Sequence, residues 1–176
     1  MAHYMEVHEA GNTFLELLRT QLYPEILESP EHIDLRHPTQ AEGLLLGVHL
    51  YDIQENGENR QTDMQPSDLT HQRFPPLSLT LNYMITAYTT PQLLIPHIMG
   101  ILYDHPVLKP SAEAEEIYIH LLNLTTDEKM RLWNYPDLPY HLSLFYSLSP
   151  VFLNSSRLIK ISRVVSTEFT VKDKSQ

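Results

Sequence analysis

From Tyr4 to Leu22 the apolar positions Tyr4, Val7, Phe14, Leu15, Leu18 and Leu22 recur at steps of three and four, which places them on one face of a helix. Pro24 and the Ser29-Pro30 pair stop that helix, because proline cannot continue the backbone ladder and restricts the residue before it. Ile33 and Leu35 then fit a short strand. Leu44, Leu46, Val48 and Leu50 alternate with Leu45, Gly47, His49 and Tyr51, predicting a second strand covered on one face and partly on the other, which ends near Asn56-Gly57. From Glu58 to Phe74 the chain is polar and too long for a hairpin turn, so this stretch reads as a long loop that either has a task of its own or is disordered.

The clearest alternation follows. Leu79, Leu81, Tyr83, Ile85 and Ala87 face one way while Ser78, Thr80, Asn82 and Thr86 face the other, predicting a half-buried strand. Thr90-Pro91 offers an N-cap and first position for a helix whose stripe is Leu94, Ile95, Ile98, Met99, Ile101 and Leu102, with Pro96 expected to kink or delay it. Ile117, Ile119 and Leu121 form another alternating run, and the change of phase to Leu122 and Leu124 predicts a bulge or bend. Thr126, Asp127 and Glu128 open a short helix carrying Met130 and Trp133, which Pro136 and Pro139 end. Leu142, Leu144, Tyr146 and Leu148 alternate with serines in a one-sided strand that stops before Pro150. The series Ile159, Ile161, Val165, Phe169 and Val171 reads as a last edge strand or an extended arm.

Helices and strands interleave, but the Glu58 to Phe74 connection suits an antiparallel hairpin better than a parallel crossover. The fold class is therefore α+β, or mixed α/β: a single domain with a mainly antiparallel sheet flanked by helices. Its expected extent is residues 1–155, with residues 156–176 as the edge strand or arm. A length of 176 residues suits one core, and 42% hydrophobic against 19% charged residues is ordinary for a folded protein. No apolar stretch approaches the roughly 18 residues of a membrane span, and no basic-then-apolar leader opens the chain, so the expectation is a soluble, cytoplasmically made protein.

Charge and chemistry narrow the function. The absence of cysteine removes disulfides, zinc-thiolate sites and thiol nucleophiles. A formal charge of −10 disfavours nucleic acid, which needs a concentrated positive surface, and favours a protein partner. His32, Asp34 and His37 would share a strand face and raise a metal-dependent hydrolase as an alternative, yet no HExxH spacing accompanies them and Pro38 puts them at a strand end, where solvation explains them. Asp104-His105 follows an amphipathic stretch, where a C-terminal histidine suits the helix dipole without any catalytic role. Serine-nucleophile and glycine-rich phosphate motifs are missing. Neither a catalytic, cofactor nor metal site is assigned, and the chain reads as a non-enzyme.

Four segments together carry a resemblance. They are LYDIQENGENR from Leu50, RFPPLSLTLNYMITAY from Arg73, LLIPHIMGILYDHPVL from Leu93, and DEKMRLWNYPDLPYHLSLFYSLSPV from Asp127. In this order they resemble the N-terminal domain of cap proteins from extracellular contractile injection systems, of the Photorhabdus virulence cassette and antifeeding prophage kind. The usual Arg-Asn pair appears as Arg60-Gln61, and the usual Leu-Gly of the second helix is replaced around Pro96 by IPHIMG. The resemblance implies a fold like phage tail terminators and a structural cap. Such a cap forms a homo-oligomeric, hexameric ring on the last layers of inner tube and contractile sheath and ends their polymerisation. Sheath and inner-tube proteins are then the partners, with a tape-measure protein as a further candidate, and the particle is the final location after cytoplasmic assembly. An assembly chaperone for sheath or tube is the other alternative. The residues expected to meet partners are Asn56, Arg60 and Arg73 around the long loop, and Ile159, Ile161, Arg163 and Val165 in the C-terminal segment, where apolar alternation and positive charge coincide.

Overall fold

A computed structural model of the chain describes residues 5–57, 64–66, 71–111, 114–134 and 137–160. Helix α1 spans Met5–Leu22 and buries Ala10, Phe14, Leu15, Leu18 and Leu22, four of which belong to the predicted stripe. Tyr4, the first residue of that stripe, lies outside the described residues. Strand β1 (Ile33–Leu35) follows, then a return through a single 3-10 turn at Pro38–Gln40 into β2 (Leu46–Glu55). The short strands β3 (Gln65–Pro66) and β4 (His71–Arg73) precede the long β5 (Leu77–Ala87). Helix α2 (Pro91–Asp104), β6 (Val107–Leu108), β7 (Ile117–Leu121), α3 (Thr126–Asn134), β8 (Ser143–Leu153) and β9 (Leu158–Lys160) complete the order.

Six strands form one sheet in the order β1-β2-β5-β8-β7-β6, in which only the β1–β2 pair is parallel. The architecture is thus α+β with a mainly antiparallel sheet, as the alternation and the loop argument predict. Two bulges keep its long strands in step. Tyr51 is extra where Leu50 pairs with Tyr83 and Asp52 with Asn82, and Ser149 and Pro150 together face Thr80. The second bulge explains why Pro150 does not end β8: a residue without an N–H donor is tolerated where the ladder is already interrupted. The sequence pattern ends that strand before Pro150, four residues short of its actual end at Leu153.

The alternation sorts the sheet into two faces. Leu46, Val48, Leu81, Tyr83, Ile85, Tyr146 and Leu148 point toward α1 and α2 and join Phe14, Leu18 and Ile98 in the main core. The opposite face carries Met84 and Phe145, which α3 covers with Trp133 to make a second, smaller cluster. That helix is why β5 and β8 are buried on both faces along their central residues, where the sequence predicts strands open on one side. Leu122 and Leu124 explain the change of phase: β7 ends at Leu121, and the chain turns to pack both leucines on the second cluster.

Helix ends differ from their predicted caps. Thr90 precedes α2 in a left-handed conformation, φ 41°, and its side chain makes no cap, while Pro91 does occupy the first turn. Pro96 lies inside α2 without delaying its start. At α3 the capping residue is Thr125 rather than Thr126: its N–H and hydroxyl donate to Glu128 at 2.8 and 2.7 Å, and its Oγ1 accepts from the Glu128 N–H at 3.3 Å. The two-residue strand β6 beyond Pro106, pairing with β7 at the sheet edge, has no counterpart in the sequence reading.

Candidate functional site

The polar face of the sheet is the feature the core does not explain. Beside α3, Asp52 and Gln54 of β2 stand opposite Asn82 and Thr80 of β5, and His49 stands opposite Met84, as their register requires. With Tyr51, Leu124, Leu132, Glu128 and Arg131 they line a groove of about 700 Å³ between sheet and α3. Asp52 is fixed in it: Oδ2 accepts from the Gln54 and Asn82 side-chain amides at 2.6 and 3.2 Å. Glu128 is held by Thr125, and those hydrogen bonds keep its carboxyl below the usual range. Arg131 pairs with Asp127 at 2.7 Å. The groove can therefore offer an ordered carboxylate and several amide and hydroxyl groups to a polar partner, with apolar contact from Tyr51 and the leucines. The sequence reading does not single out these residues, although the regularly spaced polar positions of the two strands carried the signal.

His37 and His49 close one end of the groove. Their rings meet edge-on with centroids 4.7 Å apart. Burial, then the neighbouring His37, lowers the His49 pKa to about 4. Of the three residues considered as a metal site, His32 keeps a buried Nδ1 without a hydrogen-bond partner, whereas Asp34 and His37 are otherwise engaged. Asp34 takes Arg36 Nε at 2.7 Å and lies 3.5 Å from Arg19 Nη2, while His37 Nδ1 is bound to Thr39. Among the described residues no three His, Asp or Glu side chains are grouped to hold a metal ion. His105 does sit at the C-terminus of α2, donating its N–H to Ile101 O at 3.0 Å.

A second surface comes from the long loop. β3 and β4 form an antiparallel pair, and β9 adds to β4, giving a three-stranded side sheet in the order β3-β4-β9. The segment read as a loop thus contains two strands, whose partner lies far along the chain. Arg73 of β4 pairs with Leu158, and Ile159 pairs with Gln72. Arg157 lies over the Phe74 ring at 4.9 Å. Leu158, Ile159 and Lys160 are all exposed. Asn56 donates its backbone N–H to Ser78 O at 2.8 Å, where β2 leaves the main sheet. Of the residues expected to meet partners, Asn56, Arg73 and Ile159 are described, whereas Arg60, Ile161, Arg163 and Val165 lie outside the described residues. Among the described residues no helix is long and apolar enough to cross a membrane.

Comparison with known proteins agrees with this architecture. A search of curated proteins finds no match. Two solved structures share the fold. One is the sheath/tube terminator of an extracellular contractile injection system, PVC, in its extended state, with a TM-score of 0.70, 17% identity, and coverage of 96% of this chain and 64% of that one. The other is the tube-terminating cap of the anti-feeding prophage, with a TM-score of 0.67, 20% identity, and coverage of 92% of this chain and 60% of that one. The chain spans less than two thirds of the length of either. The family profile of the Pvc16 N-terminal domain matches residues 12–167, nearly the whole fold described above, and the chain belongs to that family.

Proposed function

We propose that the chain is a structural cap, a tail terminator that forms a ring at the distal end of a contractile injection particle and ends the growth of inner tube and sheath. The observation that carries this reading is the likeness of almost the whole fold to two terminators, at TM-scores of 0.70 and 0.67, within a family that the chain shares. At identities of 17% and 20% the fold is kept while most residues differ. The partners in this reading are other copies of the chain in a hexameric ring, the last sheath and tube layers, and a tape-measure protein. Particle assembly takes place in the cytoplasm.

Tube and sheath grow by adding identical layers, so their terminator must hold the last layer and deny a site to the next. The composition of the side sheet supports assigning the contact to it. Its strand β9 is exposed and carries the apolar pair Leu158 and Ile159 beside Lys160, the composition an added strand recognises. Asn56, Arg60, Arg73, Ile161, Arg163 and Val165 are assigned to the same contact region. Deleting the gene tests the function. Particles are expected to assemble baseplates but to carry tubes or sheaths of irregular length by electron microscopy. Mutant particles with the wild-type length distribution would overturn the reading.

A further inference from the structure

The chain returns from β1 to β2 through a segment that two histidines hold. β1 is a weak strand by construction, with three residues at the sheet edge pairing on one side only. The return passes through the 3-10 turn at Pro38–Gln40, whose N-cap is His37 and whose Pro38 is buried. His37 Nδ1 lies 3.2 Å from the Thr39 backbone N–H and 2.7 Å from the Thr39 hydroxyl. An amide N–H can only donate, so Nδ1 presents its lone pair and the neutral ring carries its proton on Nε2. The same ring rests edge-on against His49 of β2 at 4.7 Å. The pair lies between the groove and a second cavity of about 440 Å³, which Gly11, Leu35 and Tyr83 help to line.

Protonation of His49 undoes this contact. A proton on His49 puts charge into a half-buried site beside a second histidine. Because burial and His37 lower its folded-state pKa from 6.5 to about 4, the contribution of His49 to stability is intact above 6.5 and is lost as pH falls toward 4. The charged groups nearby do not offset this. Arg36 and Arg131 are cations, each already paired at 2.7 Å, with Asp34 and Asp127. Asp52 is bound by its two amides and Glu128 by Thr125. Burial raises the pKa of the adjacent phenols Tyr51 and Tyr83, that of Tyr83 to about 12, so both stay neutral.

The geometry points to an acid-sensitive latch: the contact between His37 and His49 clamps the return segment from Arg36 to Leu45 onto the sheet at neutral pH and is released when His49 acquires a proton. Arg19 keeps the start of β1 in place meanwhile, donating to Ile33 O at 3.0 and 3.3 Å. The release is therefore local. It does not depend on the cap reading.

Hydrogen exchange, corrected for the intrinsic pH dependence of amide exchange, tests the latch at about pH 7 and about pH 5. In the wild-type protein, protection of amides from Thr39 to Leu45 is expected to fall on the order of tenfold, while β5 and β8 keep theirs. The variant His37→Asn retains a capping oxygen without the ring that meets His49, and His49→Gln removes the charge. Combining them should abolish the pH-dependent loss. Should the double variant prove unstable, His37→Asn alone should still reduce it. An equal loss in the wild type and in His37→Asn, or no regional loss in the wild type, would overturn the proposal.

Discussion

Gly11 stands in the middle of α1, where alanine is ordinarily better by about 1 kcal/mol. A Cβ there would lie 2.7 Å from Tyr83 Oη, closer than such atoms approach in folded proteins. Tyr83 is buried and its ring packs on Phe14 at 5.4 Å, so the phenol has little freedom to withdraw. Overpacking of this kind costs about 1–3 kcal/mol, which outweighs the propensity gain. Gly11→Ala should therefore lower the stability measured by urea denaturation, and the loss should shrink in a Tyr83→Phe background where the oxygen is gone. A penalty of the same size in both backgrounds would show that the hydroxyl is not what excludes the methyl group. None of this was readable from the sequence, where Gly11 looks like an ordinary weak point in a helix.

At the scale of elements, α3 decides the character of the polar face. Trp133 is buried against Met84 and Phe145, and its removal leaves a large cavity, so Trp133→Ala should cost about 3–5 kcal/mol in a denaturant titration. Thr125→Ala, which removes only the cap, should cost about 1 kcal/mol. If the two losses were equal, α3 would be held mainly by its cap and the tryptophan would be incidental. The side sheet makes a different prediction. Among the described residues β9 pairs only with β4, and the six-stranded sheet forms without it. Truncation after Ser155 should leave the thermal unfolding midpoint essentially unchanged while abolishing capping of particles. A truncated chain that does not fold would place the segment among the determinants of the core instead.

Over the whole molecule, charge constrains association. At a formal −10, copies of the chain repel one another, and the Debye length of about 8 Å at physiological salt damps that repulsion only partly. Residues 91–103 contain no charged side chain, although α2 exposes Leu93, Met99 and Tyr103, the last at 85%. Contacts on such surfaces gain from screening. Ring formation by the purified protein should therefore strengthen when salt is raised from low to physiological concentration, as followed by sedimentation velocity. Association that weakens with salt would instead mean that ion pairs between unlike patches hold the ring.

Period and punctuation determined the helices and the long strands, though not β3, β4 or β6. The three-and-four spacing of α1, the two-residue alternation of β2, β5, β7 and β8, and the prolines between them are local properties, each set by where one side chain points relative to the next. The same alternation also separated the two faces of the sheet. What covers each face was not local. That α3 closes over Met84 and Phe145, that Pro150 falls at a bulge, and that β4 takes β9 as its partner all depend on residues distant in the chain. The latch histidines belong to this second kind: His37 and His49 are twelve positions apart, and only the parallel return from β1 to β2 brings their rings to 4.7 Å. A linear pattern records how often a residue type recurs, whereas contact between elements is decided by their joint packing, which the intervening turns and the shared core settle together.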